Sequence, residues 1–305
     1  MVMIKLENIS KKFGAITALD NISLEIQRSE LFGLIGPDGA GKTTLFRLIS
    51  SLLLPDRGKI EVMGYDTVTD YRRLRSNIGY MPGRFSLYHD LTVEENLSFY
   101  ATIFGTTVKA NYHLIKDIYS HIEPFNNRRA GKLSGGMKQK LALCCALIHA
   151  PKLIILDEPT TGVDAVSRTE FWEMLKKLQK EGISILVSTP YMDEAMLCDR
   201  VALIQKGQIL AANRPSDIIS GFEKKMFAVR GDEKFRLLQE LRSFRSVDTV
   251  WPFGETIHIS FKNNCYDSDI EEYLEKKGHE KLAVSPVKPG IEDVFLELMS
   301  RDNYD

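Results

Sequence analysis

Residues 31–45 read LFGLIGPDGAGKTTL, and within them Gly36, Gly41, Lys42 and Thr43 fall in the spacing G-x-x-x-x-G-K-T. A loop that wraps phosphates needs this spacing. Small residues let backbone N–H groups turn inward around the anion, and a lysine supplies a mobile positive charge. The next hydroxyl can reach Mg²⁺, and the helix that follows points its positive end at the phosphates. The flanks agree with that reading. An apolar run, Leu31 to Ile35, precedes the loop as a strand, and Leu45, Leu48, Ile49 and Leu52 recur at helical spacing after it. Gly36, Pro37, Asp38, Gly39, Ala40, Gly41, Lys42, Thr43 and Thr44 are therefore the candidate ligands of a nucleoside triphosphate.

The 305-residue chain has room for one large α/β domain and a smaller one. Its Lys and Arg (40) nearly balance its Asp and Glu (41), which argues against wrapping nucleic acid by bulk charge. The longest apolar run, Leu141 to Ile148, is far short of the roughly 18 residues of a membrane span and reads as a buried helix. The start, MVMIKLENISKKFG, lacks a signal-peptide core. These features predict a soluble, cytosolic chain. Cys144, Cys145, Cys198 and Cys265 show no metal spacing and are expected to be reduced core residues.

In chain order, Met3 to Leu6 and Ile22 to Ile26 alternate like strands, joined by KKFGAITALD. Phe13 lies in that join, where an aromatic taken alone is read as core. KIEVMG resumes a strand, and SNIGYMP (76–82) is another. Thr92 and Glu95 have capping-box spacing, followed by one helix and then a second at about 113–122. Ser134 is a good N-cap for a helix over 138–150, and Gly135 and Gly136 leave backbone N–H groups uncovered. KLIILDEP (152–159) is a buried parallel strand ending in Asp157 and Glu158, where α/β sheets bind ligands. Asp157 is placed to hold Mg²⁺ together with Thr43, and Glu158 to orient or deprotonate water. A helix over 168–181, a strand over 184–188 and a strand pair at 200–204 and 208–211 complete this part.

GPDGAGKTT, LSGGM and LIILDEP occur in this order, and residues 3–215 thereby resemble the nucleotide-binding subunit of ATP-binding cassette (ABC) transporters, more narrowly export-type, multidrug subunits. The resemblance implies a P-loop α/β cassette over residues 1–220, with a helical subdomain at about 84–150 that docks on an integral membrane permease. It implies two cassettes sandwiching ATP and Mg²⁺ head to tail at the cytoplasmic face of the membrane. Ser134, Gly135 and Gly136 would then contact the ATP of the partner, Phe13 would stack on adenine, and Asp164 would cross the dimer interface. Lys42 and Glu158 would carry the chemistry.

Two positions depart from the family. Gly83 stands where I-G-Y-x-P is usually followed by Gln, and Pro190 stands where S-T is usually followed by His. Proline offers the γ-phosphate neither a side-chain donor nor an N–H. Losing one donor aimed at developing charge slows chemistry about a hundred- to a thousandfold. The expected outcome is a site that binds ATP and hydrolyses it weakly, favouring a heterodimer with a competent cassette over a homodimer. An alternative is a nucleotide-gated clamp in which turnover is incidental. A soluble cassette protein acting on ribosomes or DNA fits less well, because a second cassette and a coiled-coil insertion are both lacking. Residues 221–305 alternate strands and helices and predict a small α+β, ferredoxin-like accessory domain. Its charged face (Glu271, Glu272, Glu275, Lys276, Lys277) is expected to face solvent.

Overall fold

The computed structural model describes residues 1–261, 267–279 and 281–301. It divides into two compact units, residues 1–214 and 215–305. The first begins with two long strands, β1 (Val2–Phe13) and β2 (Ile16–Gln27), paired antiparallel. They run through the segment expected to join two short strands. Alternation there is hidden by bulges between Leu6 and Ile9 and on to Lys12, each of which shifts the side-chain period. With β4 (Arg57–Val62) and β5 (Tyr65–Asp66) they form an antiparallel sheet in the order β2-β1-β4-β5.

The second sheet carries the site. Its strands are β3 (Leu31–Ile35), β6 (Ile78–Met81), β7 (Leu153–Asp157), β8 (Ser184–Thr189), β9 (Arg200–Gln205) and β10 (Gln208–Asn213), in the order β10-β9-β3-β8-β7-β6. All pairs are parallel except β9 with β10. Leu31–Ile35 and Leu153–Asp157 are buried at every position, as parallel strands covered on both faces must be. Helix α1 (Lys42–Ile49) packs Leu45, Phe46, Leu48 and Ile49 into the same core as Phe32, Ile155 and Leu186.

Between β4 and β7 lie α2 (Tyr71–Arg75), α3 (Val93–Ile103), α4 (Val108–Tyr119) and α5 (Gly135–Leu147). The capping box at the start of α3 is formed. Thr92 accepts from the Glu95 N–H at 3.2 Å, and the Glu95 carboxylate accepts from the Thr92 N–H at 2.7 Å. Thr92→Ala is expected to cost about 1 kcal/mol of stability, read as a lowered thermal midpoint. Helix α4 starts five residues before the expected 113. Thr107 caps it, and Asn111 breaks its helical pattern by donating to the Ile148 carbonyl at 2.7 Å. Helix α5 starts at Gly135 and not at 138, and its apolar run is buried on nearly all sides, including Cys144 and Cys145. Burial pushes both thiols well up, so they stay protonated. Buried Cys198 behaves in the same way, while Cys265 falls outside the described residues. Helix α6 (Ala165–Lys180) follows β7.

The second unit runs α7 (Pro215–Ser220), β11 (Met226–Arg230), α8 (Lys234–Ser243), β12 (Val247–Phe253), β13 (Thr256–Phe261), α9 (Asp267–Lys276), β14 (Ala283–Val287) and α10 (Ile291–Arg301). Its antiparallel sheet has the order β12-β13-β11-β14 over a separate core containing Phe227, Leu241, Ile259 and Leu274. Strand β12 was not expected, because Asp248 and Pro252 interrupt its pattern. It is an edge strand, where a proline forfeits no ladder bond. Glu272, Glu275 and Lys276 on α9 and Lys277 just after it are exposed, and Glu271 is half-buried.

Candidate nucleotide site

The site is assembled at the C-terminal ends of β3, β7 and β8. Parallel register sets Ile35 beside Thr189 and Asp157 beside Ser188, so the loop leaving β3 and the acidic tip of β7 share one edge. The loop's shape is fixed partly by neighbouring backbone. A Cβ on Gly36 would lie 2.2 Å from the Ile204 carbonyl oxygen, and one on Gly41 would lie 2.6 Å from that of Ala18. Gly41 also has φ 108 and takes the N-cap position of α1 with no side-chain cap and no acidic residue in the first turn. The first N–H groups of α1 are therefore free for an anion, and the helix dipole favours one there. Asp38 and Gly39 are exposed, Ala40 is buried, and Thr43 and Thr44 are half-buried.

Lys42 is 3% exposed. Its Nζ donates to the carbonyls of Gly36 (2.8 Å) and Pro37 (3.0 Å) and pairs with Glu158 Oε1 at 3.0 Å. Glu158 adopts φ 51, a left-handed backbone that is costly for a non-glycine residue and that concentrates at functional sites. Its N–H is held by the carbonyl and the hydroxyl of Ser188, at 3.1 and 3.0 Å. The same hydroxyl donates to Asp157 Oδ1 at 2.7 Å, orienting a carboxylate that is 2% exposed. Ser188 thus organises both acids. Its signal in the sequence was its place at the end of the strand beside the acidic one, and sequence reading gave it no role. A Cβ on Gly83 would lie 3.0 Å from the Asp157 carbonyl oxygen and 3.8 Å from Glu158 Cβ, so position 83 borders the two acids. Pro190 is half-buried directly after Thr189, whose carbonyl accepts from the Gly36 N–H at 3.3 Å.

The remaining candidates form other groupings. Ser134 is the N-cap of α5 and accepts from the Met137 N–H at 3.3 Å. Gly136 lets α5 approach α6, because a Cβ there would meet the Ser167 hydroxyl at 2.6 Å, and one on Gly135 would lie 3.2 Å from the Gly162 carbonyl. Asp164 caps α6 by accepting from the Ser167 N–H at 3.0 Å, and this bond holds its carboxyl below the usual range. Ser134–Gly136 and Asp164 therefore border one another. Phe13 is 49% exposed at the tip of the β1–β2 hairpin, so it is not core, and the Lys11 ammonium lies 5.7 Å from its ring centroid.

A sequence model described as "ABC transporter" matches residues 19–161. The Nod factor export ATP-binding protein I of Burkholderia lata is 35% identical over 307 residues, covering 99% of this chain and 98% of that protein. This chain belongs to the ABC transporter ATP-binding family. The cassette is also 36% identical over 303 residues to the probable multidrug ABC transporter ATP-binding protein YbhF of Escherichia coli, covering 97% of this chain but only 52% of that one. It thus spans about half the length of that relative. Among solved structures, cbiO1 of Clostridium perfringens, part of the ABC transporter complex cbiONQ, superposes with a TM-score of 0.65 at 26% identity, covering 72% of this chain and 91% of that one. A dimeric cassette in a post-hydrolysis state bound to ADP and Pi superposes with a TM-score of 0.63 at 28% identity, covering 70% and 98%. The cassette has the α/β P-loop fold of ABC ATP-binding domains. No helix among its described residues is long and apolar enough to cross a membrane.

Proposed function

We propose that this cassette is the energy-coupling subunit of an exporter, acting at the cytoplasmic face against integral membrane permease subunits, and that its own ATP site is the weaker half of an asymmetric pair. The carrying observation is the union of Lys42, Glu158, Asp157 and Ser188 at one edge of the parallel sheet beside the phosphate loop. Relatives named for multidrug and Nod factor export support the direction of transport.

In this reading the backbone N–H groups of Gly36 to Thr44 enclose the β- and γ-phosphates, and Lys42 exchanges its carbonyl partners for phosphate oxygens. That exchange releases Glu158 from its ion pair, leaving the carboxylate to orient the attacking water and take its proton. Thr43 and Asp157 fit Mg²⁺. Among the described residues no group of three or more His, Cys, Asp or Glu could hold a metal unaided, which suits a hard cation completed by phosphate and water. Bound Mg²⁺ supplies neutralisation of the β- and γ-oxygens. Phe13 offers an exposed ring for adenine. Ser134, Gly135 and Gly136, with free N–H groups at the start of α5, serve the ATP of a second cassette, and Asp164 lies at that interface.

Position 83 offers no side chain beside the acids, and Pro190 offers no donor, so hydrolysis at this site is slow while binding persists. A heterodimer with a competent cassette follows from this. The purified chain is expected to bind MgATP and to hydrolyse it at a rate indistinguishable from Glu158→Gln in a steady-state assay. Vigorous turnover by the pure chain above that control would make the homodimer the working engine and refute the asymmetric pair. A slow rate that stays slow beside a competent partner cassette would favour the nucleotide-gated clamp.

A further inference from the structure

Arg168, four residues past the N-cap of α6, spans from that helix to the loop that leaves β8. Its guanidinium carbon lies 4.3 Å from the Tyr191 ring centroid, its Nη1 lies 3.8 Å from Asp193 and its Nε 3.7 Å from Glu194. Glu194 is 1% exposed, and neither of its carboxylate oxygens has a hydrogen-bond partner; Arg168 Nε has none either. Both side chains line a groove with Trp172, whose indole N–H is likewise unpartnered. A buried carboxylate is tolerated only when its charge is answered, and here the answering charge stands short of bonding distance. Closing the gap by less than 1 Å would convert the attraction into charge-assisted hydrogen bonds at about 2.8 Å.

The same loop touches the nucleotide site. Tyr191 N–H donates to the Thr189 hydroxyl at 3.0 Å, and the Thr189 carbonyl accepts from Gly36, the first residue of the phosphate loop. A path of contacts therefore runs from α6 to the phosphate loop: Arg168 stacks on the Tyr191 ring, and hydrogen bonds link Tyr191 to Thr189 and Thr189 to Gly36. We propose that Arg168 is a positioning residue, holding the 189–194 loop so that the backbone at Thr189 stays aligned with the phosphate loop, and that it thereby sets how well the site distinguishes a triphosphate from a diphosphate. The inference rests on the ATP site proposed above. In this reading Arg168 acts on the site through the placement of the 189–194 loop.

The test is equilibrium titration of the full chain with fluorescent ADP and a fluorescent non-hydrolysable ATP analogue, comparing wild type, Arg168→Ala, Arg168→Lys and Arg168→Ala/Glu194→Gln. Arg168→Ala is expected to weaken the triphosphate about tenfold, equivalent to about 1.4 kcal/mol, with ADP changed less than about twofold. Arg168→Lys should recover less than half of that loss, because an ammonium cannot lie flat on Tyr191 and fork toward two carboxylates. Adding Glu194→Gln removes the orphaned buried charge, and should restore the thermal midpoint without restoring discrimination. The double variant carries the test if Arg168→Ala fails to fold. Equal loss for both nucleotides, no loss, or discrimination restored by Glu194→Gln would overturn the proposal and reduce Arg168 to a charge partner. Wild type that binds neither nucleotide would instead refute the ATP site itself.

Discussion

Replacing Pro190 with histidine is expected to raise steady-state MgATP hydrolysis by the purified chain about a hundredfold, because it returns a donor to the place where charge develops on the departing phosphate. Pro190 follows Thr189, whose carbonyl is bonded to Gly36, so a side chain at 190 starts beside the phosphate loop. It is half-buried, so an imidazole has an open side to occupy. The substitution restores a backbone N–H as well. The Tyr191 N–H bond to the Thr189 hydroxyl does not depend on proline and should keep the turn in place.

Position 83 is the poorer target for the same repair. Its missing side chain would start 3.0 Å from the Asp157 carbonyl oxygen, a tight approach to backbone that cannot yield easily. Histidine at 190 should therefore give the larger gain as a single change. Pro190→His/Glu158→Gln is the control, and the gain should vanish in it, since the donor stabilises charge but does not activate water. A Pro190→His protein that binds ATP and turns over no faster than wild type would show that loss of this donor does not limit the site.

The fold was legible wherever one side-chain period ran unbroken. Leu31–Ile35, Leu153–Asp157 and the α1 face declared themselves because parallel strands buried on both faces are uniformly apolar and α1 repeats at helical spacing. Thr92 with Glu95, and Ser134, were readable because a cap is a local bond between neighbours in sequence. The misses share the opposite property. The length of the β1–β2 hairpin was hidden by bulges, the start of α4 by an asparagine bonded to Ile148, and β12 by a proline that only an edge strand tolerates. Each turns on pairing or packing that a local side-chain period does not report. The site divides in the same way. Lys42, Asp157 and Glu158 could be named from spacing, whereas Ser188 and Arg168 act across sheet and helix, through contacts that no motif spacing records.

Gly36→Ala is expected to abolish nucleotide binding and destabilise the chain even without nucleotide, which separates the loop's packing from its ligand contacts. The new Cβ would lie 2.2 Å from the Ile204 carbonyl oxygen and 3.0 Å from Ile204 Cγ2. Strand β9, which carries Ile204, is bonded to β3 and β10 and cannot retreat alone, so the loop must move. Overpacking of this kind costs about 1–3 kcal/mol, and each 1 kcal/mol lowers the melting midpoint by about 2–4 °C in a domain of this size. A shift of that order at Gly36 also breaks its N–H bond to Thr189 and displaces the carbonyl that holds Lys42. Gly39→Ala is the matched comparison: its Cβ meets nothing within 4 Å, but its φ of +78 leaves a left-handed strain of about 1–2 kcal/mol. Thermal melts without nucleotide and ATP titrations of the two variants should therefore diverge. Gly36→Ala loses binding altogether and Gly39→Ala only weakens it, because at 36 the neighbouring strand, and at 39 only the chain's own dihedral, requires glycine. Normal ATP affinity in Gly36→Ala would mean that β9 yields and does not shape the loop.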